Sequence, residues 1–193
     1  KVADLNITFG AHLPCRVLPG GDPEPASHAL LIQIASAAAG SGFSSLWITD
    51  HIVYFDPWMD CLLLLAAVAG KAKEHDLKIA TGVVGLPLRH PVAIAQSFAT
   101  LDNLSGGRME IGVGRGGVLE AYFWGQDSDV EVNYARFLET LAIIKQGLSH
   151  DELDYHGEFY DFDTLPMRLR PKQTPYPPLW YMRNIETAAL QGM

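Results

Sequence analysis

The sequence predicts an α/β fold in which βα units repeat around a parallel sheet. Three observations predict it: short β-rich runs alternate with longer Ala-rich or amphipathic runs, no composition break marks an interdomain linker, and apolar residues make up 48% of the chain. The repeat shows no three-layer break, which favours a barrel over an open sheet. A complete eight-unit barrel takes about 250 residues, so 193 residues are read as one domain spanning 1–193 that holds roughly the first five units and is incomplete at its C-terminal end. The lack of Met at position 1 and the stop at Leu190-Gln191-Gly192-Met193, inside a helix-like run, give the same expectation of a longer protein.

Leu5 to Phe9 reads as the first strand. The Ala-rich run Ala29 to Ala39 forms the first helix, with Ser27 as its cap and Gly40 and Gly42 ending it. Leu46 to Thr49 is the second strand, Met59 to His75 the second helix and Leu77 to Val84 the third strand. Pro91, suited to a first helical turn, opens a third helix that runs to Leu104. Met109 to Val113 is the fourth strand. A long irregular connection, Gly114 to Val132, carries Tyr122, Phe123 and Trp124 before a fourth helix from Asn133 to Leu148. Asp151 to Met167 reads as an excursion or hairpin, Leu179 to Met182 as the fifth strand, and Asn184 to Gln191 as the start of a fifth helix.

Charge and composition remove several function classes. Fourteen basic residues against 22 acidic ones leave a net charge of −8, which disfavours a nucleic-acid groove or an anionic membrane surface. The longest apolar run, Cys61 to Gly70, is far below the roughly 20 residues of a membrane span, and no signal-like block opens the chain. A soluble, cytoplasmic protein is expected. Cys15 and Cys61 are too few for a disulfide framework and too isolated for zinc, so both read as neutral buried thiols.

In parallel βα proteins the chemistry gathers at the carboxyl ends of the strands. After the second strand stands Asp50-His51, a carboxylate beside the side chain whose ordinary pKa, about 6.5, lies nearest neutrality. A histidine that only bonds a strand end is an equal reading of those two residues. After the third strand comes Thr81-Gly82-Val83-Val84-Gly85, where glycine permits close approach of a flat ligand or a plain turn. After the fourth comes Gly112-Val113-Gly114-Arg115-Gly116-Gly117, a glycine-rich turn with one cation, suited to an anionic group.

That last run also satisfies G-x-G-x-x-G, but the acidic residues that follow, Asp127, Asp129 and Glu131, sit in a polar connection and not at a strand end, which argues against a dinucleotide fold. There is no G-x-S-x-G elbow, no H-E-x-x-H helix and no Walker lysine. Asp127-x-Asp129-x-Glu131 lacks the glycine of a calcium loop, and Asp161-x-Asp163 has no histidine at ligand spacing. Both read as solvated carboxylates, and no metal is expected.

Taken in order, four blocks resemble the bacterial luciferase-like flavin-dependent monooxygenases and their F420-dependent relatives: residues 42–51, Gly-Phe-Ser-Ser-Leu-Trp-Ile-Thr-Asp-His; residues 81–91, from Thr81-Gly82-Val83 to His90-Pro91; residues 101–108, Leu-Asp-Asn-Leu-Ser-Gly-Gly-Arg; and residues 112–116. Tyr160, Pro171 and Pro177-Pro178-Leu179-Trp180 continue the same order. The resemblance implies a TIM-type (β/α)8 barrel that binds reduced flavin, FMN or else F420, across its strand ends, because side chains alone cannot hold a hydride or activate oxygen. It implies a non-proline cis peptide at Gly82-Val83, and a cofactor site formed by Ala11, Asp50, Thr81, Gly82, Val83, Gly114 and Arg115, with Arg115 on the phosphate. Arg183 and Asn184 fall near the family's other phosphate contacts, in a block shorter than the luciferase pattern and with Glu186 adding an opposing charge.

His51 matches the family's active-site histidine: an acid/base beside an oxygen-activating flavin, or a proton donor and charge stabiliser in F420 chemistry. His12 is expected to face the substrate pocket, whereas Trp47 and Phe43 read as core packing. The leading expectation is a monooxygenase using reduced flavin and oxygen on a small organic substrate, with a flavin reductase as partner and a homo-oligomer or dimer as the assembly. The alternatives are an F420-dependent hydride-transfer enzyme and a non-catalytic flavin-binding subunit, the latter because an incomplete barrel leaves strand edges to be covered.

Overall fold

The structure, a computed structural model, describes residues 7–16, 27–127 and 129–182. Its parallel strands form an arc: β1 (Gly10–His12) pairs with β2 (Ser45–Ile48), and β2 pairs with β3 (Lys78–Thr81). Both β3 and its continuation β4 (Val84–Gly85) pair with β5 (Met109–Gly114), whose other edge takes β8 (Leu179–Tyr181). Sequential parallel strands with helices between them are the expected βα series and belong to part of a TIM-type barrel.

The first strand lies later than the sequence predicts. Ile7 to Phe9 precede β1 as irregular chain, and the rest of the predicted strand, residues 5 and 6, lies outside the described residues. A β-rich run reads as strand by propensity, but pairing decides it. The ladder starts at Gly10↔Ser45, where a Cβ on residue 10 would sit 2.3 Å from the Trp47 ring. Glycine is what lets β1 close against β2 there.

Helices cover one face of the arc. Helix α1 (His28–Gly40) is capped by the Ser27 hydroxyl, which accepts from Leu30 N. Helix α2 (Cys61–Glu74) is capped by Asp60, and α3 (Pro91–Leu104) starts on Pro91 as predicted. Helix α5 (Val130–Ser149) begins three residues before the predicted Asn133, because Asp129 accepts from Glu131 N at 2.8 Å and Val132 N at 3.1 Å. The long connection before it is not wholly irregular: it holds a short helix, α4 (Val118–Phe123).

The core lies between these helices and the sheet, with Leu46, Ile48, Ile79, Ile111 and Val113 packing against Leu65, Phe98 and Phe137. Phe43 packs against it, as expected, and both cysteines are buried. Burial pushes the Cys61 thiol well up, with the nearby Asp50 carboxylate adding to the effect. Trp47 departs from the core reading. It sits on the opposite face of β2, against Gly10 and Gly82, and its indole donates to Ser45 at 2.8 Å.

The excursion is an antiparallel hairpin, β6 (Glu152–His156) and β7 (Asp161–Pro166). The chain that leaves it is fastened by Asp102, a fully buried carboxylate of α3 that accepts from Lys172 N (2.7 Å), Gln173 N (2.9 Å) and the Gln173 amide (2.7 Å). A buried charge holds its place when its lone pairs are filled in this way. Beside it, Gly106 and Gly107 turn the chain into β5 with φ of +74° and +85°, values that favour glycine. No helix among the described residues is long and apolar enough to cross a membrane.

Candidate active site

The ends of β2, β4, β5 and β8 converge on a cavity of about 300 Å³, a size at the lower end for small-molecule sites. His51, Gly82, Val83, Gly114 and Arg115 line it, as does Tyr181 at the end of β8. With Asp50, six of the predicted site residues therefore meet around one hollow.

An irregularity between β3 and β4 shapes its floor. From Ala80 to Val84 the β3–β4 chain takes four steps while β5 takes three, Glu110 to Val113, so one residue is extra and the strand bulges. The Gly82–Val83 peptide within the bulge is cis. Gly82 N donates to Ile48 O at 2.7 Å, and the Thr81 hydroxyl donates to Gly112 O at 2.7 Å. A Cβ on Gly112 would fall 2.0 Å from Thr81 O, so the two strands can approach this closely only with glycine at 112. Thr81 is fully buried beneath the cavity and does not line it.

His51 stands at the rim, held from three sides. Its Nδ1 donates to the Glu120 carboxylate at 2.7 Å, its ring meets Trp58 edge-on at 4.4 Å between centroids, and Tyr54 lies against it at 4.5 Å. Glu120 is buried, and its second oxygen accepts from Gly117 N at 3.1 Å. One carboxylate thereby ties the end of β2 to the glycine turn after β5. With Nδ1 engaged, Nε2 is the nitrogen left for a ligand.

Asp50 also borders the cavity, but its carboxylate is committed elsewhere. Arg89 grips it with both terminal nitrogens, one at 2.8 Å, while Gly85 N donates at 3.3 Å. Arg89 reaches Asp60, the cap of α2, at 3.3 Å. The pair is nearly sealed from water, and hydrogen bonding to Asp50 helps hold the guanidinium charged against the opposing effect of burial. Asp50 thus stiffens the turn under His51.

Arg115 makes no ion pair among the described residues, although it is only partly exposed. It projects from the Gly114–Gly117 turn on the cavity wall. An unpaired guanidinium on the wall of a cavity is a natural seat for an anionic group. Ala11 does not line the cavity, and neither does His12, whose Nε2 contacts the Thr49 hydroxyl at 3.3 Å. Arg183 and Asn184, with the predicted helix that holds Asn184, lie outside the described residues.

The family model for luciferase-like monooxygenases matches residues 7–182. The chain belongs to this family. Relatives of the luciferase-like monooxygenases that it resembles span both branches of chemistry. It is 34% identical over 152 residues to an F420-dependent glucose-6-phosphate dehydrogenase of Kineococcus radiotolerans, covering 74% of this chain and 44% of the relative. It is 28% identical over 161 residues to the oxygenase component of a flavin-dependent trigonelline monooxygenase of Acinetobacter baylyi, covering 78% and 41%. Among solved structures, the monooxygenase RslO1 from Streptomyces bottropensis superposes with a TM-score of 0.78 at 25% identity, covering 91% of this chain and 53% of that one. The chain spans about half the length of the relatives it matches.

Within this luciferase-like frame, the sequence reading missed Glu120 and Tyr181. A signal for Glu120 existed: it stands three residues after Gly117, at capping distance before an apolar run. Nothing in the sequence paired it with His51. The reading also treated Asp161-x-Asp163 as lacking a histidine, whereas the hairpin register brings His156 to Asp161 at 2.5 Å, with Asp154 at 3.1 Å and Asp163 at 3.7 Å. Asp154, His156 and Asp163 have the donor types for a cation but are all exposed, remote in sequence from the cavity residues.

Proposed function

We propose that this chain carries the cofactor-binding part of a flavin-dependent oxidoreductase, in first place a monooxygenase acting with reduced flavin and oxygen on a small organic substrate. The observation that carries the reading is the placing of unpaired Arg115 and of the His51–Glu120 pair on one cavity whose floor is the Gly82–Val83 bulge. These residues fit a flavin phosphate and a flat ring: an unpaired cation on a glycine turn at one side, glycine-bearing strand ends below, and an acid/base group above.

In that arrangement Arg115 binds the phosphate, beside a turn whose Gly117 amide is already held by Glu120. Gly82 and Val83 support the ring. Glu120 orients His51 through Nδ1, and His51 holds or moves a proton at Nε2. Bound flavin supplies the two-electron redox chemistry that no side chain here provides. The relative named as an oxygenase component supports a separate flavin reductase as the partner that delivers reduced cofactor.

A second reading, an F420-dependent hydride-transfer enzyme, is favoured by the 34% identity to the F420-dependent dehydrogenase. Both readings use His51 in the same position. Titrating the purified protein with FMN and with F420, and then measuring whether turnover consumes oxygen, separates them. Failure to bind either cofactor overturns both.

A further inference from the structure

Aromatic rings run without a break from His51 to the protein surface. Tyr54 touches His51 at 4.5 Å between centroids, Phe55 lies 5.8 Å from Tyr54, Phe123 lies 5.8 Å from Phe55, and Tyr122 lies 6.0 Å from Phe123. The first two rings come from the loop between β2 and α2, the last two from α4. Two segments nearly 70 residues apart have thus converged on one apolar wall. Much of it is open: Phe55 is 75% exposed and Tyr122 69%. Neither ring belongs to the core beneath the helices. Contiguous exposed rings beside a cavity mark a binding surface more often than chance packing.

The charged groups along this wall are already engaged. Asp56 pairs with Arg16 at 3.5 Å, and the Arg16 guanidinium stacks over Trp58 at 5.6 Å. Glu120 is held by His51 and Gly117. Arg115, the unpaired cation on the cavity wall, is the group that the cofactor reading assigns to the phosphate, so among the described residues the aromatic wall itself offers ring faces and edges.

We propose that the substrate of this site is an uncharged, planar aromatic molecule that enters along the Tyr54–Phe55–Phe123 wall and stacks there beside His51. The proposal rests on the cofactor reading above for the position of the reacting ring, and it adds the substrate class. Offset and edge-on contacts with three rings select a flat π-system, and they do so over a saturated molecule of the same outline, which gains apolar burial but no ring-to-ring electrostatics.

The test uses 2-naphthol and its saturated counterpart decahydro-2-naphthol, titrated into the protein with and without FMN and followed by saturation-transfer NMR, with glucose 6-phosphate as an anionic comparison. Expected are binding of 2-naphthol at least severalfold tighter than the saturated alcohol, no binding of glucose 6-phosphate at the wall, and a roughly three- to tenfold loss of 2-naphthol affinity in Phe55→Ala and in Phe123→Ala. Both side chains are substantially exposed, and unchanged melting and FMN affinity in the variants verify folding. Equal binding of the two alcohols overturns the proposal in favour of a general apolar surface. Unchanged 2-naphthol affinity in both variants, or glucose 6-phosphate displacing 2-naphthol, overturns it as well. FMN failing to bind while the 2-naphthol results hold would remove the flavin reading and leave the aromatic site standing; FMN binding without 2-naphthol would do the reverse.

Discussion

His51 Nδ1 lies 2.7 Å from Glu120 Oε1, although 69 residues separate them in the chain. A charge-assisted bond of this kind contributes about 1.5–3 kcal/mol. Glu120→Gln is therefore expected to lower kcat roughly 10- to 100-fold with little change in cofactor affinity. His51→Ala is expected to lower it roughly 10²- to 10⁴-fold if the imidazole moves a proton. Steady-state kinetics on both variants, with flavin titrations alongside, check this. A Glu120→Gln enzyme with wild-type kcat would reduce the carboxylate to a helix cap.

Arg115→Ala separates phosphate binding from ring binding. FMN affinity is expected to fall by tenfold or more while riboflavin, which lacks the phosphate, binds as before. Equal weakening of the two would show that the guanidinium meets something other than the phosphate.

Arg89→Ala leaves the Asp50 carboxylate, whose side chain is 1% exposed, without its cation. Breaking one side of such a buried pair costs about 3–5 kcal/mol, and the urea midpoint should fall accordingly. The double variant Asp50→Asn/Arg89→Met should recover part of that loss. If Arg89→Ala alone unfolds at the wild-type midpoint, the pair has no structural role.

The His156 imidazole is expected to titrate above its ordinary value near 6.5, because it hydrogen-bonds the Asp161 carboxylate and because Asp161, Asp154 and Asp163 surround it with negative charge. Its contribution to the hairpin is complete below the unfolded value and is lost as pH rises through the raised one. NMR titration of the ring should show the upward shift, and Asp161→Asn should reduce it. A ring titrating at or below 6.5 in the unsubstituted protein contradicts the contact.

Much of the scaffold was legible because its signals are local. Pro91 opened α3, Ser27 capped α1, and alternating β-rich and Ala-rich runs gave the order of units. The wall of the cavity was half legible: Gly82, Val83, Gly114, Arg115 and His51 stand at strand ends, where βα chemistry collects. What escaped were relationships across the chain. Glu120 finds His51, and His156 finds three aspartates, only once register and helix placement are known. The bulge between Thr81 and Val84 interrupts a strand that reads as continuous, because hydrophobic patterning records burial and not pairing steps. Asp50 is also gripped by Arg89, and the Thr81 hydroxyl donates to Gly112 O, pairings across the chain that the sequence does not display.

The Asp102 carboxylate carries a consequence for how this scaffold can diversify. It clasps Lys172 and Gln173 against the root of β5, and β5 pairs directly with β8 a few residues later. Everything between, α4, α5 and the β6–β7 hairpin, leaves and rejoins the sheet at two fixed anchor points. Within that stretch, α4 holds Glu120 against His51 and α5 fills the core with Phe137 and Leu141, so change in length falls to the exposed turn of the hairpin. The β6–β7 turn, on a hairpin that packs against α5, is the natural position for grafting new sequence without disturbing the cavity-facing strand ends.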